Sequence, residues 1–560
     1  LVAAAVSVAC QSGSPLPHAG AKGSRAGAET VAGVLAIDWK DGVTKSQIDA
    51  DEKQFGIDAE YNSVASQAEG LTLVRSESWT DALLEKLRAH PLVEGVEPVY
   101  EYHSLFAPND PDYKHQWHMQ QIGAESAWEW GSGANVIVAV IDTGVSDLSD
   151  LPNVEFVPGY DFVNDQPLVT DDQGHGSHVA GTIAQATHNG TGVAGLAHRA
   201  RIMPLKVLDA HGSGTTVDIA DAIRWAVDHD AKVLNLSLGG GGYSQVLAKA
   251  VEYAHRKGAI VVCAAGNGFG APVSYPAAYA GALAVSAVRF DRTLAPYSSF
   301  GPEVDLAAPG GDTSVDQNSD GLPDGVLQQT IGGEFKWFQG TSMATPHVAA
   351  AAALLAGAGV TRAEAIERVL MQTATPLGEK NRFGAGEVDA AAALKHVRLF
   401  GGLWRFGLAI LLLLFGRWVV RRNGEKPSPL GVIAFLLLLW SSAGFLFVPF
   451  LGLGHSTIGS ALQTPLPEWG QHLHGAMTSS ILWLSALGAF LALGLSRWTR
   501  IRPLAVAVCF GYAAYLIHAA VTGWVDIGWL PGRTVEAAWL ALNGALAFGF
   551  GTIALRHHSR

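Results

Sequence analysis

Ser342 stands in Gly340-Thr341-Ser342-Met343-Ala344-Thr345-Pro346-His347, a small-residue turn followed by the alanine run 349–353. The run reads as a buried helix, so the serine falls where a tight loop enters a helix. Free amides and the positive end of a helix dipole stabilise negative charge there. That suits a hydroxyl that attacks a carbonyl and then sits beside an oxyanion. It also suits a plain N-cap, a common place for Ser and Thr. As a nucleophile, a serine needs a base to take its proton. His175 is the candidate, in Gly174-His175-Gly176-Ser177-His178-Val179-Ala180-Gly181, just before an apolar helical run that would fix its ring. His178 is its rival. Asp142 follows the apolar run 136–141 and would orient the imidazole and stabilise its charged form. Asn267, in Ala264-Ala265-Gly266-Asn267-Gly268, carries an amide able to donate to a developing oxyanion. Taken alone, Gly-Asn-Gly is a turn signal.

In the order Asp, His, Ser, these stretches resemble the catalytic segments of the subtilisin-like serine proteases, the subtilases. The resemblance covers the middle of the chain. It implies a triad of Asp142, His175 and Ser342, with His178 as a second, structural histidine. It further implies Asn267 and the amide of Ser342 as oxyanion donors. Peptide or protein substrate would bind as an extended strand along Ser237, Leu238, Gly239 and Gly240. The pocket for the residue before the cut would be lined by that segment, by Ala264, Ala265 and Gly266, and by residues near Ser274. These stretches hold no acidic residue, which favours an apolar or broad preference over a strict Arg/Lys one.

The elements that must position these groups are legible too. Residues 136–141 are a continuous apolar run typical of a central parallel strand, and 233–238 and 260–264 repeat the pattern. Helical spacing at 217–227 and 245–256 separates them, so a parallel sheet with helices on both faces is expected. Asp142 would then lie at the C-terminal end of a strand, where such sheets place ligands. Thr361 and Glu364 form a capping-box pattern opening a further helix. The expected fold class is α/β for residues 107–398, with a small α+β domain at 30–106 and an all-α transmembrane region at 399–560. Within 30–106, strands and helices alternate in the order of a split βαβ, ferredoxin-like sandwich. Its place resembles the subtilase propeptide, which would act as an intramolecular inhibitor with its tail, 99–106, in the cleft.

With 560 residues the chain exceeds one ordinary core. Its net charge of -13 gives no reason to expect a nucleic-acid partner. Three cysteines suggest no disulfide framework. Residues 1–29 read as leader and tether, the first nine as the remnant of a secretory signal. Cys10 resembles a bacterial lipoprotein site, although Ser7 stands where Leu is usual. Apolar stretches at 403–420, 430–453, 475–495, 503–523 and 536–555 predict about five membrane spans, with lipid as a partner. Arg405 and Arg417 would snorkel from the first. Arg421, Arg422, Arg497, Arg500, Arg502 and Arg556 mark the cytoplasmic side, leaving the protease outside a bacterial cell membrane. His455, His472, His474 and His518 fit no strong metal pattern. Asp316, Asn318, Asp320 and Asp324 set oxygens at alternate positions around Gly321, as a structural calcium ion requires, but Leu327 replaces the closing Glu. Two functions are consistent with all this. One is a membrane-tethered, self-processing endopeptidase. The other is a membrane signalling or transport protein whose protease domain processes a specific partner.

Overall fold

The apolar run before Asp142 is the strand Ile137–Asp142, buried along its whole length. The computed structural model describes residues 30–40, 42–61, 66–67, 70–75, 81–100, 107–146, 148–151, 154–454, 456–469, 484–527 and 530–556. It comprises two units, Leu1–His103 and Ser104–Arg560. In the first, Thr30–Trp39, Ala59–Tyr61, Leu71–Arg75 and Val93–Tyr100 form a four-stranded antiparallel sheet. Thr30–Trp39 lies between Leu71–Arg75 and Val93–Tyr100. Helices Lys45–Phe55 and Asp81–Arg88 complete it. Ile37, Trp39, Ile48, Val74 and Leu87 form its core. The tail expected in a cleft, 101–106, and Cys10 lie outside the described residues.

The second unit is built on an eight-stranded sheet whose described pairings are all parallel. Ile137–Asp142 lies inside it, between Val233–Leu236 and Arg201–Lys206. Alternate side chains of this strand enter different cores. Val138 and Val140 join the core containing the helix Thr341–Gly357, whereas Ile137, Ala139 and Ile141 join the one containing Ile223 and Val251. Burial on both faces is why the sequence reads as an uninterrupted apolar run. The helix Thr341–Gly357 is buried nearly all round, and Ala349 to Ala353 let it approach the sheet closely. Truncating a core residue there, such as Leu354→Ala, would cost about 2–5 kcal/mol.

Among the described residues, three helices of the C-terminal region are long and apolar enough to cross a membrane: Ala390–Arg422, Arg502–Thr522 and Arg533–Leu555. The expected span 430–453 is corrected. Its helix, Val432–Ala443, has 12 residues, about 18 Å, short of the roughly 30 Å of hydrocarbon. It stops where Gly444, with φ of 78°, closes on the carbonyl of Gln463. Beyond it the chain continues through the short turn Pro449–Leu451. Of the expected span 475–495, only the end is described, with a helix at Leu487–Leu495.

Arg405 is also corrected. It does not snorkel: it is 2% exposed and pairs with Glu468 at 3.0 Å. Arg398 pairs with the other oxygen of Glu468 at 2.9 Å. Arg417 donates to the carbonyl of Ser428. The Thr361 capping box does not form either. The helix Ala363–Thr373 has Arg362 at its N-cap, and the Thr361 hydroxyl accepts from the amide of Asp526 instead. Arg502 donates to the carbonyl of Arg556, which pairs with Glu425. Arg502, Arg556 and Glu425 thus meet at one end of the helices, and Glu468 and Glu536 are each paired with arginines elsewhere.

Removing Glu468 leaves two buried guanidinium groups facing each other. Glu468→Ala should cost about 3–5 kcal/mol, the cost of an uncompensated buried charge. The thermal midpoint in detergent measures it. An unchanged midpoint would contradict the buried ion cluster.

Candidate active site

Asp142 ends its strand fully buried, and its Oδ1 accepts from the Thr143 amide at 2.8 Å. The same oxygen accepts from Nδ1 of His175 at 2.7 Å. His175 opens the helix His175–Ala184 with its side chain 22% exposed. Ahead of that helix, Asp171 Oδ1 accepts from the amides of Gln173 and Gly174 and from the Thr143 hydroxyl. Thr143 Oγ1 in turn accepts from the Gly176 amide. A Cβ at position 176 would lie 2.1 Å from the carbonyl of Gly144, so only glycine lets the two segments meet. Lys206, 1% exposed, donates to the carbonyl of Thr143 and pairs with Asp172 at 2.7 Å.

Ser342 is the second residue of its helix, after an N-cap at Gly340. Its hydroxyl donates to the carbonyl of Ser237 at 3.0 Å, and the Ser237 hydroxyl donates back to the carbonyl of Ser342 at 2.7 Å. Among the described residues, no hydrogen bond joins Ser342 to His175, although both line one cleft of about 710 Å³. Asn267 is exposed on the same cleft. Its Oδ1 accepts from the Thr341 amide and the Thr341 hydroxyl, both at 2.9 Å. This fixes which way the carboxamide points and leaves Nδ2 as the donor on offer. Gly340 has φ of 149°, and a Cβ there would press against Asn267 Nδ2 at 3.4 Å.

The expected substrate segment is divided by its environment. Leu238 and Gly239 make no backbone hydrogen bond among the described residues, so their peptide groups are open to a strand. Gly240 already donates to the carbonyl of Tyr275. Gly266 lines the cleft, but Ala265 is fully buried, its amide bonded to Val285 and its carbonyl to Ser274. No Asp or Glu lines the cleft among the described residues.

Three further histidines, His118, His178 and His347, are fully buried. His178 is fully buried and donates from Nε2 to the carbonyls of Val326 and Lys336, and burial pulls it down to about 3. His347 Nδ1 donates to the carbonyl of Met343, which leaves its Nε2 to accept from His118.

Asp316, Asn318, Asp320 and Asp324 share one turn but do not gather as a cage. Asp316 accepts from the amides of Asp320 and Gly321, Asn318 from Asp320, Asp320 from Leu322, and Asp324 from Gln317. Among the described residues, no group of three His, Cys, Asp or Glu side chains is placed to hold a metal ion. His455, His472 and His474 lie outside that set or carry no described side chain. One oxygen stands apart: Asp324 Oδ1 is buried without a partner.

Asp171, Thr143 and Lys206 were not singled out from sequence. Asp171 carries a signal, an acidic residue just ahead of a helix start. Thr341 reads in sequence as no more than part of a helix start. Its hold on Asn267 is a contact between distant segments and has no local signature.

The profile of the Subtilase family matches residues 133–386. A "Thermophilic serine proteinase" from Bacillus sp. (strain AK1) is 39% identical over 320 residues, 56% of this chain and 76% of that one. "Thermitase" from Thermoactinomyces vulgaris is 38% identical over 294 residues, 52% of this chain and all of that one. An "Extracellular protease" from Xanthomonas campestris pv. campestris is 35% identical over 386 residues, 60% of this chain and 65% of that one.

Burial lowers the His175 pKa, but the charge of Asp142 and its hydrogen bond outweigh this, so the net shift is upward from 6.5. A general base works in its neutral form. Peptide-cleavage kcat/KM should therefore fall with acidification through a midpoint above 6.5. In Asp142→Asn the upward influence is gone while burial remains. The limb should move to lower pH, and the plateau should drop by about 10⁴-fold. A pH–rate profile of both forms checks this; a wild-type limb at or below 6.5 would contradict it.

Proposed function

The chain belongs to the subtilase family and is a serine-type endopeptidase, and we propose that Asp142, His175, Ser342 and Asn267 carry its reaction in a self-processing zymogen held at a membrane. The observation that carries the catalytic part is the 2.7 Å bond from His175 to Asp142 on the cleft that also exposes Ser342 and Asn267. Substrate lies as a strand against Leu238 and Gly239. The Ser342 hydroxyl leaves the Ser237 carbonyl, meets His175 Nε2, and attacks the scissile carbonyl as His175 takes its proton. Asp142 holds Nδ1–H and stabilises the imidazolium. The oxyanion receives Asn267 Nδ2–H and the amide of Ser342. The imidazolium then protonates the leaving amine, and the C–N bond breaks to leave an acyl ester on Ser342. Water, deprotonated by the same histidine, attacks that ester and frees the serine. The absence of acidic side chains along the cleft supports a broad or apolar preference before the cut.

The first unit supports the zymogen reading: its antiparallel sheet and two helices have the strand order of a ferredoxin-like inhibitor domain. The membrane reading rests on the long apolar helices and on the apolar side chains they leave exposed, among them Leu411, Leu414, Phe415, Leu542 and Ile553. The basic ends near Arg422, Arg502 and Arg556 support a cytoplasmic face there, with the protease outside. The extracellular protease of Xanthomonas agrees in kind. A calcium ion at the 316–324 turn is not part of this reading, because the side-chain oxygens there accept from backbone amides and do not gather as the roughly 6–8 oxygens calcium takes. No step passes through it.

Ser342→Ala should abolish peptide cleavage and leave the N-terminal unit attached, seen as an unprocessed band on a gel. Normal processing in that variant would refute self-maturation. Asn267→Ala should keep KM and lower kcat by about 10²–10³-fold. Thr341→Val, which removes one of the two bonds holding the Asn267 carboxamide, should move kcat in the same direction by less. Unchanged kcat in Asn267→Ala would remove it from the oxyanion site.

A further inference from the structure

The parallel sheet has two unlike edges. The C-terminal edge carries Asp142, the Leu238–Gly239 segment and Asn267. The N-terminal edge meets the helical region. There a Cβ on Gly258, just before the strand Ile260–Ala264, would lie 2.8 Å from Asp526. The carbonyl of Glu129 accepts from Gln463, and Glu129 Oε2 accepts from the amide of Gly454. The amides of Thr361 and Arg362 donate to the carbonyl of Trp524, and the Arg362 side chain pairs with Glu536.

The helix Thr341–Gly357 links these edges. Ser342 is at its N-terminal end, and the carbonyl of Gly357, at its C-terminal end, accepts from Arg398, which pairs with Glu468. The helix has 17 residues, about 25 Å at 1.5 Å each. On the membrane reading, its C-terminal end lies close to the bilayer surface. Phe400 and Trp404, just past Arg398, are 55% and 76% exposed, as aromatic anchors at a membrane interface are.

We infer that the cleft faces away from the bilayer with its nucleophile about 25 Å beyond the surface, and that the substrates are soluble polypeptides or long-tethered segments. Bonds close to a membrane span are out of reach. This rests on the membrane reading and narrows the substrate class of the same site. A tether must cover the stand-off: about 8 residues fully extended at ~3.3 Å each, and about 20 for a flexible chain whose root-mean-square length matches it.

The test uses the full chain in liposomes with one cleavable fluorogenic sequence in several forms. One form is free; the others are anchored in the same vesicles by an apolar helix through Gly/Ser spacers of graded length. The free peptide should be cut at one rate with or without vesicles. Anchored forms with spacers well under about 8 residues should be cut at least about tenfold more slowly than those near 20, because a linker that cannot span a gap gives almost no effective concentration. Equal cutting at every spacer length would overturn the inference. Flotation of the vesicles tests the premise separately. A chain left behind in the dense fraction would overturn the membrane reading and, with it, this inference.

Discussion

Every described pairing in the central sheet is parallel, and the arrangement of the second unit follows from that one directional constraint. Parallel strands need crossovers, and the crossovers clothe both faces with helices. All the strands then end on the same side. A carboxylate from one strand end and a carboxamide from another are neighbours without any long loop to carry them. The reverse edge, with no reacting group to present, is left as a platform for other protein.

Around Asp142, precision comes from polar atoms held in pairs. Asp171 and Thr143 bind each other and the amides at the entry to the His175 helix. Thr341 does the same for Asn267. These groups touch no reacting atom in the arrangement described. They restrict rotation of the groups proposed to act, which is what preorganised stabilisation of developing charge requires. The Ser342 hydroxyl is the exception: it rests on the Ser237 carbonyl, a partner it leaves in the proposed reaction.

Much of this was open to reading from residue order. The doubly buried strand before Asp142 appears as an unbroken apolar run, and the glycine-flanked His175 and Asn267 mark backbone turns at strand and helix ends. Features made by distant partners were not legible. Arg405 reads as a charge stranded in an apolar span, because Glu468 is remote in sequence and lies in a turn with no pattern of its own. Thr361 reads as a helix cap, yet its hydroxyl is engaged by Asp526. The apolar stretch after Val432 averages as one span, while a single glycine closing on Gln463 ends its helix early. Hydropathy windows register composition, not the φ of one residue.

The pairing of Arg398 and Arg405 with Glu468 also sets an order of events during synthesis. Both arginines leave the ribosome before their shared counter-ion, Arg405 by 63 residues. Until that turn emerges, the helix carrying Arg405 has an unmatched positive charge and cannot settle into its final burial. Maturation of the C-terminal part therefore waits on a late segment, and a nascent chain stalled between the two would hold that helix in an unfinished state open to quality control.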